Sequence, residues 1–318
     1  ASGLVLSGTG VLAACSSQSS SPLTIGLTYT PNIQFAPIYM AKKNSKYASG
    51  VSLRHHGAQE GLFDALLSGK EQLVVAGADE AVVAASNGSD LVVVGGYYQS
   101  YPACLIVPES SPIKAPADLK GKTVGTPGRK GETWYALQLA MDTASLSESD
   151  LTIQDIGYTQ QAALVGGKVD AVVGFSNNDA VQIKQAGTAV RTIQPAESIP
   201  LIGVSLVTTR KLLDSRREDL QAAVKASVDG MTAFVKDPDA AVEATKEHVQ
   251  DLVDSTQAAN AREVAVATGK LVSGEGKAAV GSVRVDDFTP MIEFLASHKI
   301  LGDKKTPKAA DVCVPLGQ

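Results

Sequence analysis

Short apolar segments alternate with segments of helical spacing over the first two thirds of the chain. Within the apolar segments the hydrophobic residues are continuous rather than alternating, which is typical of strands buried on both faces of a parallel sheet. These segments are LTIGL (23–27), LVVAG (73–77), LVVVGG (91–96), CLIV (104–107), TVGT (123–126) and AVVGF (171–175). The pattern predicts an α/β architecture with parallel sheets and right-handed crossovers.

The segments between the predicted strands repeat apolar residues at helical spacing, and several end in Gly or Asn. The clearest of them are APIYMAKKN (36–44), EGLFDALLSGK (60–70), DEAVVAASNG (79–88) and TWYALQLAMDTASL (133–146). From residue 211 onward the sequence changes to longer, charged amphipathic helices with few strand signals. This change predicts that the chain finishes as a helical layer.

An internal repeat indicates how these elements are grouped. The stretch 61–83 (GLFDALLSGKEQLVVAGADEAVV) is echoed by 160–181 (QQAALVGGKVDAVVGFSNNDAV). Each contains a helix, a Gly-Lys pair, an apolar strand, a polar loop with an acid, and a second helix. The repeat predicts two similar lobes whose polar loops follow the strand ends, where open α/β sheets bind ligands. Two facing lobes form a cleft suited to a small molecule; chance similarity of two α/β segments is the alternative.

Composition narrows the class of protein. The chain has 318 residues, of which 44% are hydrophobic and 19% charged, so it can bury a large core without crosslinks or metals. Its formal net charge is -5 and it has no basic stripe, which argues against nucleic acid as a partner. Adjacent His55 and His56 point to opposite faces of a strand and cannot chelate one ion together. No metal and no cofactor are predicted.

The first residues resemble the end of a bacterial lipoprotein signal. Residues 1–14 are small, apolar and uncharged, too few to span a bilayer, and they lead to Leu-Ala-Ala-Cys15 before the serine-rich tether SSQSSSP. By this resemblance, residues 1–22 are a signal remnant and tether, and Cys15 carries a lipid. The protein is then exported and anchored to the outer face of the cytoplasmic membrane. A buried apolar strand and a cloning remnant are the alternatives.

Two cysteines remain, Cys104 and Cys313. In an exported protein an even pair can form a disulfide. Cys104, however, lies in an apolar run that suits a plain buried thiol. The sequence leaves both arrangements open.

Four segments resemble the solute-binding proteins of ABC importers, in the type that includes binders of thiamine pyrimidine precursors, alkanesulfonates and riboflavin. They are YTPNIQFAPIYMAKK (29–43), LFDALLSGKEQLVVAGADE (62–80), SSPIKAPADLKGKTVGTPG (110–128) and VDAVVGFSNNDAV (169–181). The resemblance implies an α/β, two-lobe periplasmic-binding-protein-like fold (type II) with two hinge crossovers and a ligand cleft. Lobe 1 is then 23–107 plus 205–318, and lobe 2 is 108–204.

The same resemblance implies a monomer that is not an enzyme and that delivers its ligand to the permease subunits of an importer. Some relatives of the thiamine-precursor branch make the pyrimidine with cysteine and histidine chemistry, and they supply the enzymatic alternative. The present sequence has no cysteine cluster, no nucleophile elbow and no P-loop, which makes catalysis the weaker reading.

The polar loops after the predicted strands supply the expected ligand-binding residues. Amides and aromatic rings suit a neutral planar heterocycle, whereas a sulfonate would attract more fixed positive charge. A carboxylate can accept hydrogen bonds from an aminopyrimidine, so a thiamine pyrimidine precursor is favoured, with riboflavin or an alkanesulfonate as alternatives. The expected residues are Tyr29, Asn32, Gln34, Phe35, Asp79, Glu80, Tyr98, Arg129, Glu132, Trp134, Asn177, Asn178 and Asp179.

Each of these residues also has a purely structural interpretation. Phe35 and Trp134 can belong to the core, and the carboxylates at 79–80 can cap a helix and complement its dipole. The polar residues at 177–179 can form a turn or a cap. The sequence alone does not decide between these roles and ligand binding.

Overall fold

The computed structural model describes residues 21–57 and 59–317, which form ten strands in two sheets. The predicted signal remnant and the lipid site at Cys15 lie outside the described residues. The strands are β1 (Thr24–Leu27), β2 (Ser52–His55), β3 (Leu73–Gly77), β4 (Leu91–Gly96), β5 (Ala103–Pro108), β6 (Thr123–Thr126), β7 (Thr152–Asp155), β8 (Ala171–Phe175), β9 (Val190–Ile193) and β10 (Val204–Thr209).

The first sheet has the order β2-β1-β3-β10-β4 and the second has the order β7-β6-β8-β5-β9. We call each sheet with its helices a lobe. This arrangement confirms the predicted two-lobe α/β fold. The prediction of purely parallel sheets is wrong for two strands, because β10 runs antiparallel to β3 and β4, and β5 runs antiparallel to β8 and β9. Both strands enter their sheet from the other lobe rather than through a crossover helix.

The helices lie between the strands and, after β10, form a C-terminal layer. They are α1 (Ala36–Lys43), α2 (Asp64–Leu67), α3 (Ala78–Ser86), α4 (Gly131–Thr143), α5 (Gln160–Val165), α6 (Asp179–Gln185), α7 (Arg210–Ser215), α8 (Arg217–Lys236), α9 (Pro238–Thr245), α10 (Ser255–Ser273), α11 (Phe288–Ser297) and α12 (Ala309–Val312). The pattern over 60–70 yields only the single turn of α2, which stops before Gly69 in the left-handed region at φ +80°.

Four strands are not among the predicted apolar segments: β10, which lies inside the first sheet, and β2, β7 and β9. The last three lie at the edges of the two sheets, and their residues are mostly exposed or half-buried. An edge strand needs no continuous apolar run, so the criterion that found the central strands does not detect it.

Sheet membership shows where the chain crosses between lobes. The prediction ends the first part of lobe 1 at residue 107, but β5 pairs within the second sheet, with Ala103 opposite Phe175. The first crossing therefore precedes β5, and the return crossing lies between β9 and β10. We propose residues 97–102 and 194–203 as the two hinges.

The C-terminal helices pack on the first lobe. α8 and α9 pack against α1, α11 packs against α3, and α12 packs against β4. The backbone of Cys313 pairs with Val93 of β4 in an isolated parallel β-bridge. Cys104 lies in β5 of the second sheet. Both thiols are free and buried, so the structure contains no disulfide between them. Burial raises the pKa of Cys313 to about 12 and raises that of Cys104 as well.

The two adjacent histidines have separate partners, as a strand geometry requires. His55 Nε2 lies 3.0 Å from the Tyr39 hydroxyl, and His56 Nε2 lies 2.9 Å from the Glu71 carboxylate. Within residues 21–57 and 59–317, no group of His, Cys, Asp and Glu side chains is arranged to hold a metal ion. In the same ranges no helix combines the length and apolar character needed to cross a membrane.

Candidate functional site

Four polar side chains from both lobes meet between the two sheets. They come from the segment between β1 and α1, the segment after β4, the segment after β8, and α10; we call them the interlobe cluster, which consists of Gln34, Tyr98, Asn177 and Thr268. Asn177 Nδ2 donates to Thr268 Oγ1 at 2.9 Å and approaches the Tyr98 hydroxyl at 3.4 Å. The side chain of Gln34 lies near the Tyr98 hydroxyl and lowers its pKa, against the larger effect of burial, which raises it. Asn177 is therefore the second-lobe member of the interlobe cluster, and its side chain contacts residues of the first lobe.

The interlobe cluster has an unused acceptor. Asn177 is 1% exposed, and its Oδ1 has no hydrogen-bond partner among the described residues. A buried amide oxygen without a donor costs free energy, so such atoms in folded proteins are normally satisfied by a neighbour, water or ligand. This atom marks a position where a ligand N–H or O–H group would be stabilised.

A second group of side chains lies where α3 and α4 face each other across the lobes. We call it the carboxyl cluster, which consists of Asp79, Glu80, Glu132 and Tyr101. The Tyr101 hydroxyl donates to Asp79 Oδ2 at 2.7 Å and to the Glu132 backbone oxygen at 3.1 Å. The tyrosine thus joins the first turn of α3 in one lobe to the first turn of α4 in the other.

Two glycines make room for the Glu132 side chain. A Cβ atom placed on Gly203 would lie 2.8 Å from Glu132 Oε1, and one placed on Gly77 would lie 3.2 Å from it. The side chain is 6% exposed, and Oε1 has no hydrogen-bond partner within the described chain. A carboxyl group of the second lobe is therefore inserted into a slot formed by backbone of the first lobe and of the return crossing.

Burial governs the protonation of the carboxyl cluster. Burial first, and then the neighbouring negative charges, raise the pKa of Asp79 and Glu132 well above the ordinary range. Removal from water also raises the pKa of Glu80 to about 7, opposed by a backbone hydrogen bond from Gly77 and by the charge of Lys130. Hydrogen bonds join the two lobes in this structure, an arrangement that we call closed, and this arrangement favours protonated carboxyl groups.

The other expected residues of the first lobe contact their own segment. Phe35 is buried in the core, with its ring edge toward His55 at a centroid distance of 5.7 Å. Asn32 caps the turn Ile33–Phe35 by accepting from Gln34 N at 2.8 Å. Tyr29 is exposed, and its backbone oxygen lies 3.0 Å from His55 Nδ1. The structure does not bring these three side chains into either cluster.

The remaining residues of the second lobe also have local partners. Arg129 lies over the buried Trp134 ring at 5.3 Å and donates to Glu148 at 2.6 Å. Asn178 Oδ1 accepts from Gln182 Nε2 at 2.9 Å. Asp179 Oδ2 accepts from the Phe175 backbone N–H at 2.7 Å, which fastens the start of α6. These contacts match the capping and packing alternatives.

Sequence reasoning missed Tyr101, Thr268 and the part played by α10. Thr268 is fully buried inside a helix that the sequence predicts only as part of a C-terminal layer. The same helix meets the second lobe again where Gln185 Nε2 donates to Asn260 O at 3.0 Å and to Glu263 Oε2 at 2.9 Å. A buried threonine in a helix interior is a weak signal, because core packing explains it equally well.

Comparison with known proteins places the chain in a family. The model of the NMT1/THI5 like family matches residues 32–241. The riboflavin-binding protein RibY of Chloroflexus aurantiacus is 30% identical over 235 residues, covering 72% of this chain and 67% of RibY. The formylaminopyrimidine-binding protein of Halalkalibacterium halodurans is 24% identical over 243 residues, covering 73% of each chain.

Solved structures show the same fold at low sequence identity. The periplasmic aliphatic sulphonate binding protein SsuA of Escherichia coli superposes with a TM-score of 0.72 at 19% identity, covering 93% of both chains. The desulfurization enzyme DSZB superposes with a TM-score of 0.60 at 17% identity, covering 93% of this chain and 97% of its own. These likenesses establish the fold alone. Together with the family match, they confirm the resemblance found in the sequence: the chain belongs to the NMT1/THI5-like family and has the two-lobe fold of periplasmic binding proteins.

Proposed function

We propose that this protein is an extracytoplasmic solute-binding protein of an ABC importer, which captures an uncharged planar heterocycle between its lobes and delivers it to the permease. The interlobe cluster carries the proposal. It joins side chains of both lobes around the unpartnered Oδ1 of Asn177, so a ligand at this position would favour the closed form. In this proposal the protein acts as a monomer, and a lipid on Cys15 tethers it outside the cytoplasmic membrane.

The charges around the cluster oppose an alkanesulfonate ligand. The interlobe cluster contains amide and hydroxyl groups only, and the carboxyl cluster beside it is acidic. Arg129 is already paired with Glu148 at 2.6 Å and with Asp155 at 3.5 Å. A sulfonate would therefore meet buried carboxyl groups, and the charge of the nearby Lys130 already acts on Glu80.

Riboflavin and a thiamine pyrimidine precursor are the two candidate ligands. The preference for the pyrimidine rested on Asp79 and Glu80 as free acceptors, but Asp79 already accepts from Tyr101 at 2.7 Å. The relative that is 30% identical is named a riboflavin-binding protein, whereas the formylaminopyrimidine-binding relative is 24% identical. We therefore propose riboflavin first and the pyrimidine precursor second.

Binding is proposed over catalysis, although the fold itself also occurs in an enzyme. The chemistry expected of the pyrimidine-forming alternative needs a reactive cysteine. Cys104 and Cys313 are buried, and burial raises the pKa of both thiols, which keeps them protonated and poorly nucleophilic.

A thermal-shift screen tests the proposal. The chain from residue 16 onward, freed of bound ligand, is titrated with riboflavin, formylaminopyrimidine, hydroxymethylpyrimidine and taurine. Riboflavin is expected to raise the melting temperature, because a ligand of the native state stabilises it by RT ln(1 + [L]/Kd), and taurine is expected to have no effect. If folded protein responds to none of the heterocycles, the proposed function is wrong.

Glu80→Gln separates the two heterocycles. If Glu80 pairs with an aminopyrimidine, this change should weaken binding of formylaminopyrimidine by about 10- to 100-fold, because a charge-assisted hydrogen bond is lost. Binding of riboflavin should not weaken, and at neutral pH it should become tighter, because closure no longer requires Glu80 to take up a proton. A large loss of riboflavin affinity on calorimetric titration would place Glu80 in the flavin contact instead.

A further inference from the structure

A groove beside the interlobe cluster is lined by amide side chains of both lobes. Its volume is about 270 Å³, and it lies between the segment preceding α1, helix α6 and helix α10. Its walls include Gln34 from the first segment, Gln182 and Gln185 from α6, and Gln257 and Asn260 from α10. Among the described residues, no Asp, Glu, Lys, Arg or His side chain lines it. We call it the amide groove.

The floor of the amide groove is aliphatic. Ile33, Leu252, Ala261 and Val264 line it between the amide walls, and all four are buried. A charged occupant would find no opposite charge here, and a purely apolar one would leave amide groups without partners. The lining therefore matches an uncharged chain that presents C–H groups to the floor and hydroxyl groups to the walls.

The walls have hydrogen-bonding capacity to spare. Gln185 Nε2 donates to Asn260 O and to Glu263 Oε2, and Gln182 Nε2 donates to Asn178 Oδ1. The oxygens of both glutamine side chains remain open, and the side-chain amide of Gln257 makes no hydrogen bond within the described ranges. The groove therefore offers both acceptor oxygens and donor N–H groups, which suits hydroxyl groups, since each hydroxyl both donates and accepts.

The groove and the interlobe cluster meet at one residue. Gln34 lines the groove, and its backbone oxygen accepts from the Tyr97 hydroxyl at 2.8 Å. The next residue, Tyr98, has its hydroxyl 3.4 Å from Asn177 Nδ2. We propose that the amide groove binds the uncharged, polyhydroxylated chain of a two-part ligand whose planar ring lies at the interlobe cluster. The inference rests on the proposed function and extends it by assigning the second half of the ligand to a separate set of residues.

Riboflavin and lumiflavin test the assignment, because lumiflavin carries the same ring with a methyl group in place of the hydroxylated chain. Affinities are measured by quenching of flavin fluorescence. The unmodified protein is expected to bind riboflavin at least about ten-fold more tightly than lumiflavin, since several hydrogen bonds are added. Flavin mononucleotide is expected to bind more weakly than riboflavin, because its phosphate has no counter-charge in the groove.

A double variant tests whether the amide groove causes the tighter binding of riboflavin. Gln182→Ala with Gln257→Ala changes two exposed helix positions, so the fold should be retained. We expect a loss of about ten-fold for riboflavin and less than two-fold for lumiflavin. Gln221→Ala, at an exposed position of α8, is the matched control and should change neither affinity.

The outcomes separate the inference from the proposed function. Equal affinity for riboflavin and lumiflavin, or equal losses for both in the double variant, overturns the assignment of the groove. Binding of formylaminopyrimidine without either flavin also overturns it, while the proposed transport function stands. Failure of folded protein to bind any heterocycle contradicts the proposed function and the inference together.

Discussion

Asn177→Ala is expected to weaken ligand binding by roughly 100-fold, because two buried hydrogen bonds between the lobes are lost and each is worth about 1–3 kcal/mol when its partner stays buried. Asn177 donates to Thr268 and approaches Tyr98, both of the first lobe. It also supplies the acceptor that we assign to the ligand. The loss is measured by calorimetric titration with riboflavin.

Gln161→Ala is the matched control. Gln161 is exposed on α5 of the second lobe and belongs neither to the interlobe cluster nor to the lining of the amide groove. Its removal is expected to change affinity by less than about three-fold. Similar losses in both variants, or a loss in Asn177→Ala that is fully explained by a lower melting temperature of the ligand-free protein, would contradict a role for Asn177 in joining the lobes around ligand.

Riboflavin affinity is also expected to fall as pH rises from about 5 to about 7, by up to ten-fold per pH unit for each carboxyl group that takes up a proton on closure. When the lobes are closed the pKa of Glu80 is about 7, whereas a glutamate in water titrates near 4.3. The contribution of this group to closure is therefore complete below about 4.3 and lost as pH rises through the closed-state value.

The groups around Glu80 also favour weaker riboflavin binding as pH rises. Asp79 and Glu132 lie near Glu80, and burial also raises the pKa of both. Closure therefore brings together three carboxyl groups that repel one another when they are ionised. Lys130 is the nearby cation and lowers the pKa of Glu80, but not enough to cancel burial. The hydroxyl of Tyr101 donates within the cluster and adds no charge.

Glu132→Gln tests the origin of this pH dependence. It removes one ionisable group from the glycine slot while keeping its size, so the slope of affinity against pH should become shallower. Glu148→Gln, on the exposed surface of the same lobe, is the control and should leave the slope unchanged. Titrations in two buffers of different ionisation enthalpy give the number of protons taken up. A wild-type affinity that is constant or increases with pH contradicts the account.

The central strands and the fold class were readable from sequence, because a strand buried on both faces has a continuous apolar run. The antiparallel direction of β5 and β10 could not be predicted, because an apolar segment does not indicate which strand it pairs with. Their reversal follows from the two crossings between sheets. The crossing before β5 is also why residues 103–107 lie in the second sheet rather than in lobe 1.

The site was partly predictable for a related physical reason. Asn177, Asp79 and Glu80 follow buried strands, and polar residues at strand ends stand out in sequence. Glu132 was named for its place in a glycine-rich loop, but its insertion between Gly77 and Gly203 depends on residues far apart in the chain. No local pattern records such a slot.

The central claim is that ligand binds between the lobes and holds them together, and amide hydrogen exchange with and without riboflavin tests it most directly. Bound ligand is expected to slow exchange in segments of both lobes, at residues 97–102, 175–182 and 260–270, and to leave the exposed face of α8 unchanged. Slowed exchange confined to one lobe would show that ligand binds without closing the cleft, and would contradict the account.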